Sequence, residues 1–390
     1  MYRSIIIFAL AALLLISCGG AGYSQGGAQP AGQISAIEAV GGSGAAGFAR
    51  AIAPRPFVFP QDHGPHQDFA TEWWYYTGNL VAAEGRHFGF QLTFFRFGLA
   101  PKLPERPSDW GAANIYMAHF ALSDVAGQKF YAFDRFSRGA AGLAGAQAEP
   151  FRVWLEDWSA EGVGGALPMR LRAAQGDAAI DLMLDGGKPV VLQGDRGLSQ
   201  KSAEVGNASY YYSLTRMPSR GTIRVGGASF DVTGLSWMDR EWSTSSLAQN
   251  LAGWDWFALQ LSDGRELMYY QLRDKSGRAD PLSSGTIVAA DGATRRFARD
   301  DMQLEVLDTW PSPRSGGRYP ARWRLRVPSA EIDLMITPYL ADQELPLATI
   351  YWEGAAQIAG TAGGQPVSGN GYVELTGYAE RQGQDDVRVR

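Results

Sequence analysis

One pattern of aromatic strands occurs twice in this chain, and such a repeat restricts it to a fold made of two similar β-units. Residues 73–92 read WWYYTGNLVAAEGRHFGFQL, and residues 254–272 read WDWFALQLSDGRELMYYQL. Each holds an aromatic strand, a Gly-Arg turn (Gly85-Arg86 and Gly264-Arg265) and a strand ending in Gln-Leu. Further on, VTGLSWMD at 232–239 matches VSGNGYVE at 367–374, in the same order within each half. The polar stretch 243–253 is therefore the expected boundary. Other runs, such as IYMAHFAL and SYYYSLTR, are short, aromatic or β-branched, and most are bounded by Gly, Asp, Asn or Pro, which marks strands. Helical periodicity is scarce. The 48 Gly, 20 Pro, 12 Trp, 16 Tyr and 18 Phe suit many turns around an aromatic interior. The expected fold class is all-β, as two antiparallel barrels or sandwiches side by side. Aromatic residues on both faces of many strands imply a buried face between the two units as well.

Composition narrows the function. At 390 residues the length suits about two domains of roughly 150 residues. With 45% hydrophobic and 19% charged residues, most of the chain can bury a core. A net charge of −5 without a basic stripe argues against nucleic-acid binding. The single cysteine rules out a disulfide framework and a cysteine-based zinc site.

That cysteine, Cys18, ends a leader in which Arg3 precedes the apolar run IIIFALAALLLIS. This is the pattern of a secretory signal peptide, and Leu15-Ile16-Ser17-Cys18 resembles a bacterial lipobox. The expectation is a signal peptide at 1–17, a lipidated Cys18 and a flexible tether to about residue 55. A first unit would span 56–245 and a second 246–390. The protein would then be a periplasm-facing lipoprotein, outer-membrane or secreted, with the membrane reached through a lipid anchor. Matches to GxSxG at 22–26 and to a dinucleotide fingerprint at 42–47 fall in the tether, without the strand and helix that either chemistry needs.

Titratable groups among aromatic residues are the candidates for chemistry. Alternation in TEWWYY puts Glu72, Trp74 and Tyr76 on one face of a strand and Trp73 and Tyr75 on the other. A carboxyl among rings loses water, and its pKa rises toward that of a proton donor; the alternative is a glutamate paired with an arginine. His119 shares a face with Ile115 and Met117, opposite Tyr116 and Phe120, and reads as either a core residue or a catalyst. His63, His66 and His119 with Asp62 have no spacing that fixes a metal geometry, so no metal site is assigned. The strongest group is WMDREW at 237–242, which sets Trp237, Asp239 and Glu241 on one face. Two carboxyls at i and i+2 cannot both ionise cheaply when buried together, so one would hold a proton. Here the alternative is a domain-boundary strut in which Arg240 and a neighbouring residue pair the acids.

The segments FPQDHGPHQDFATEWWYYTGNL, IYMAHFALSD, GLSWMDREWS and YWEGAAQIAG with GNGYVELTGY resemble the AttH-like, lipocalin-like family, which includes carotenoid 1,2-hydratase, kievitone hydratase and proteins labelled secreted hydrolases. The resemblance covers about residues 56–380 and implies two lipocalin-like β-barrels. With it come a hydrophobic small-molecule ligand, isoprenoid or lipid-like, and candidate hydro-lyase chemistry with no cofactor. Asp239, Glu241, Glu72 and His119 are then the candidate catalytic residues. His66, Trp74, Tyr76, Trp237, Trp254 and Tyr116 are the candidate ligand contacts. The rival expectation is a non-enzymatic lipid-binding protein of the cell envelope, accessory to an export system. A secreted hydrolase comes third, because no Ser–His–Asp set can be assembled.

Overall fold

The computed structural model describes residues 46–101, 111–244, 248 and 250–379. The leader, Cys18 and most of the expected tether lie outside the described residues. Among the described residues thirteen strands make one antiparallel sheet between Thr71 and Ser243. Ten make a second between Leu251 and Leu375, and there is no α-helix. Strands prevail because aromatic and β-branched side chains fill a pleated surface on both of its faces.

The repeat seen in the sequence is the closure of each sheet. The opening strand Thr71–Ala82 pairs with its hairpin partner His87–Gly98 on one side and with the closing strand Ala228–Ser243 on the other. In the second half Leu251–Leu261 does the same with Glu266–Asp274 and Gln365–Leu375. Both Gly-Arg hairpins turn on a glycine in the left-handed region, Gly85 at φ +83° and Gly264 at φ +85°.

Each sheet curls around its own core. Trp74, Tyr76, Phe90, Phe94, Trp158 and Met238 fill the first, and Phe257, Tyr269, Trp323 and Trp352 fill the second. A third cluster, with Tyr75, Tyr211, Trp237, Trp256, Met268 and Tyr372, belongs to both sheets and forms a seam between them. Polar bonds pin the seam. Asn79 Nδ2 donates to the Gly371 carbonyl at 3.1 Å, Gln260 Nε2 to the Thr215 carbonyl at 2.8 Å, and Ser123 Oγ to Gln343 Oε1 at 2.6 Å. The sheets come so close that a Cβ on Gly89 would lie 2.4 Å from Ala355 Cβ.

Residues 46–55 correct the expectation of a flexible tether that runs to 55. Ala51 is buried against Tyr210, Tyr212 and Trp242, and Ala49 N–H donates to the Asp68 carbonyl at 2.8 Å. Phe48 and Ala51, scattered through a Gly- and Ala-rich stretch, give it enough apolar surface to pack.

Candidate functional site

The third cluster does not close completely. It leaves a cavity of about 140 Å³, walled from the first sheet by Trp73, Tyr75, Phe95, Met117 and His119 and from the second by Trp254, Trp256 and Tyr270. Strand alternation explains this lining. Trp74 and Tyr76 turn into the first core, so Trp73 and Tyr75 must face the seam.

The same rule aims WMDREW. Met238 enters the first core and Trp242 a smaller cluster under the residue-57 loop, whereas Trp237, Asp239 and Glu241 turn to the seam. Asp239 accepts from the Tyr211 hydroxyl at 2.5 Å, the Ser213 hydroxyl at 2.6 Å and Trp237 Nε1 at 2.7 Å. Burial pushes its carboxyl up to about 7, the three hydrogen bonds oppose that rise, and the Glu241 charge adds to it. Glu241 forms an ion pair with Lys201, Nζ to Oε1 2.8 Å, and accepts from Ser209. Lys201 keeps its proton: burial works most strongly against the charge, but Glu241, Tyr270 and Asp239 together outweigh it and raise the pKa. Arg240 takes no part in the strut weighed for these acids, because it points through the sheet to Glu72, and only the Lys201–Glu241 pair remains.

A second acid sits at the matching place in the other half. Glu374 stands opposite Trp256 in the strand register, as Asp239 stands opposite Tyr75. It accepts from Trp254 Nε1 at 2.7 Å, as Asp239 does from Trp237, and burial likewise pushes it up to about 7. Glu353 lies beside Glu374 across the strand pair and is fully buried, which with the nearby Glu374 charge holds its carboxyl neutral, well above the usual range. Neither of its oxygens is hydrogen-bonded. The Tyr75 and Tyr351 hydroxyls lie near enough to act on its charge without reaching hydrogen-bonding geometry. His119 completes the group: Nδ1 meets the Tyr351 hydroxyl at 2.8 Å, Nε2 has no partner, and burial lowers the imidazole to about 4.

Several expected site residues lie elsewhere. Glu72 is a correction: it faces away from the cavity and is clamped by Arg96 and Arg240, all three fully buried. Burial alone would raise its carboxyl, but the two guanidinium groups hold it well below the usual range. His66 lies outside the cavity, stacked on Trp242 with ring centroids 3.7 Å apart, its Nε2 3.0 Å from Asp62 Oδ1. Trp74, Tyr76 and Tyr116 belong to the first core, with Trp74 Nε1 donating to the His63 carbonyl at 2.8 Å. Their alternation was read rightly, but the aromatic face that lines the cavity is the other one. Trp237 reaches the seam and orients Asp239, and Trp254 lines the cavity directly. Sequence reasoning passed over Lys201, Tyr211, Tyr351 and Glu353. A lone acid in the aromatic run YWEG was a usable signal for Glu353; Lys201 follows a three-residue strand, too short for any periodicity. Among the described residues no group of three His, Cys, Asp or Glu side chains is placed to hold a metal.

Two curled antiparallel sheets, sealed along an acidic and aromatic seam, define a double-barrel class of protein. The AttH-like family model matches residues 50–378, and the chain belongs to that family. An AttH protein from Nitrosomonas europaea is 37% identical, over 85% of this chain and 99% of that one, with a TM-score of 0.76. Kievitone hydratase from Nectria haematococca shares the fold at 16% identity and a TM-score of 0.64, covering 85% of this chain and 96% of its own. CghA with Sch210972 shares it at 13% identity and a TM-score of 0.51, over 87% and 97%. No curated protein matches the chain.

Proposed function

We propose that this protein binds a small, largely apolar molecule in the seam cavity and adds water across its carbon–carbon double bond by acid–base chemistry that needs no cofactor. The observation that carries this reading is Asp239: a carboxyl beside a ring-lined cavity, pushed up to about 7 and so able to hold a proton near neutral pH. Asp239 transfers that proton to one alkene carbon, leaving a cation on the other. The faces of Trp73, Trp254 and Trp256 shelter it. Water admitted to the cavity bonds to the cationic carbon, and the Asp239 carboxylate takes the proton the water releases. Atoms balance, and the acid returns to its starting state. The fold likeness to a hydratase agrees with this chemistry.

Cavity size bounds the ligand. An engineered cavity of about 150 Å³ holds one benzene, so the space here fits a ring-sized or short branched group, and a long isoprenoid could place only a short part of itself inside. The leader and Cys18 support export and a lipid anchor; the mass of the mature N-terminal peptide tests this. Asp239→Asn, assayed for hydration of ring-sized alkenes, should lose a hundredfold or more of its turnover, on the order expected when a general acid is removed. Unchanged turnover would remove the proposed acid.

A second reading, binding without catalysis, is favoured by the three donors that already occupy the Asp239 carboxyl. It expects ligand binding to survive Asp239→Asn and no hydration by either form.

A further inference from the structure

Buried polar groups in a folded protein nearly always find partners, and of the fourteen buried side-chain atoms without one among the described residues, four belong to residues that line this one cavity. Both oxygens of Glu353, the Tyr75 hydroxyl and Nε2 of His119 are buried, line the same space and lack a partner in good hydrogen-bonding geometry, the Tyr75 and Tyr351 hydroxyls only approaching Glu353. Glu353 is 0% exposed, His119 1% and Tyr75 6%, so bulk water does not serve them. They come from separate strands: Thr71–Ala82, Asn114–Asp124 and Ile350–Ala362. The remaining wall mixes aromatic side chains with polar ones, and the acids Asp239 and Glu374 already have donors from Trp237 and Trp254. The cavity thus holds acids that already have donors and a polar trio that does not, with Tyr75 directly beside Asp239 and Glu353 beside Glu374 in the strand register.

We propose that the ligand is a neutral, ring-sized molecule carrying one hydroxyl or carbonyl oxygen, which docks on Glu353, Tyr75 and His119 while its double bond faces Asp239. A protonated Glu353 can donate to that oxygen, and its carbonyl oxygen can accept from a ligand hydroxyl. Tyr75 and His119 supply further partners of either sense. An anionic ligand is disfavoured, because Asp239, Glu241, Glu353 and Glu374 all border the space and Lys201 is committed to Glu241. A pure hydrocarbon is disfavoured too, because it would leave the trio unsatisfied in a drier site. The position of the double bond rests on the hydratase reading above; the oxygen anchor does not.

The test is a titration of the full chain with three probes of one size, 2-cyclohexen-1-ol, cyclohexene and protonated cyclohexylamine, followed by quenching of tryptophan fluorescence. Trp73, Trp254 and Trp256 line the cavity and report occupancy. The alcohol should bind about tenfold tighter than cyclohexene, the advantage expected for partnering buried polar atoms. Glu353→Leu should erase that preference while still binding cyclohexene, and Asp239→Asn should keep it. Equal affinities in the unmodified protein, a preference that survives Glu353→Leu, tighter binding of the amine, or no saturable binding of any probe would each overturn the proposal. Turnover separates the two ideas. Full activity in Asp239→Asn with the alcohol preference intact sinks the hydratase reading alone, and a missing preference with activity lost in Asp239→Asn sinks the oxygen anchor alone.

Discussion

Asp239 and Glu72 sit on adjacent strands, both buried, and burial pushes both carboxyls toward the neutral form. Their neighbours separate them. Asp239 has hydroxyl and indole donors with a carboxylate nearby and rises to about 7; Glu72 has two guanidinium groups and falls. The pH consequences have opposite sign. The stability that accompanies neutral Asp239 is complete below its ordinary value of 3.8 and is lost as pH rises through about 7. That of Glu72 is present above its ordinary 4.5 and is lost as pH falls toward its depressed value. Glu72→Ala should destabilise the fold by about 3–5 kcal/mol in urea denaturation, because two buried arginines lose their counter-charge. A loss below about 1 kcal/mol would mean the cluster is not buried as described. At this scale the sequence revealed which side chains share a face, since alternation needs only neighbours in the chain. The partner of Glu72 was hidden: Arg96 comes from the next strand of the hairpin, and Arg240 from the far end of the first unit.

Among the strands, Ile350–Ala362 carries the clearest conflict between folding and use. Glu353 interrupts a run of buried Tyr, Trp, Gly and Ala with a carboxyl that no protein donor satisfies. Folding alone would favour an apolar side chain there. Glu353→Leu should therefore raise stability by about 1–3 kcal/mol, seen as a higher urea midpoint with unchanged slope. A lower midpoint would show that the carboxyl holds the strand in place. The order of opening hairpin and closing strand was legible in both halves, because the repeat preserved Gly-Arg turns and Gln-Leu endings. The pairing of Glu353 with Glu374 was not, because register between strands depends on the full sheet.

The whole molecule depends on its seam. Two sheets that could each enclose a core share a third apolar cluster and several buried hydrogen bonds, so they should melt together. Gly89→Val tests the closeness of that contact: a side chain there meets Ala355, and the strain should lower stability by about 1–3 kcal/mol in calorimetry. An unchanged melting temperature would contradict the close approach. That two β-units exist was legible from the repeat; that a cavity lies between them followed only once alternation had been anchored to real cores. The functional reading in turn rests on a proton held at that seam. Carbon-13 carboxyl NMR of the full chain, compared with Asp239→Asn, measures it directly. A resonance missing from the variant should titrate near pH 7; if the Asp239 carboxyl instead titrates near its ordinary 3.8, the seam holds no proton donor there.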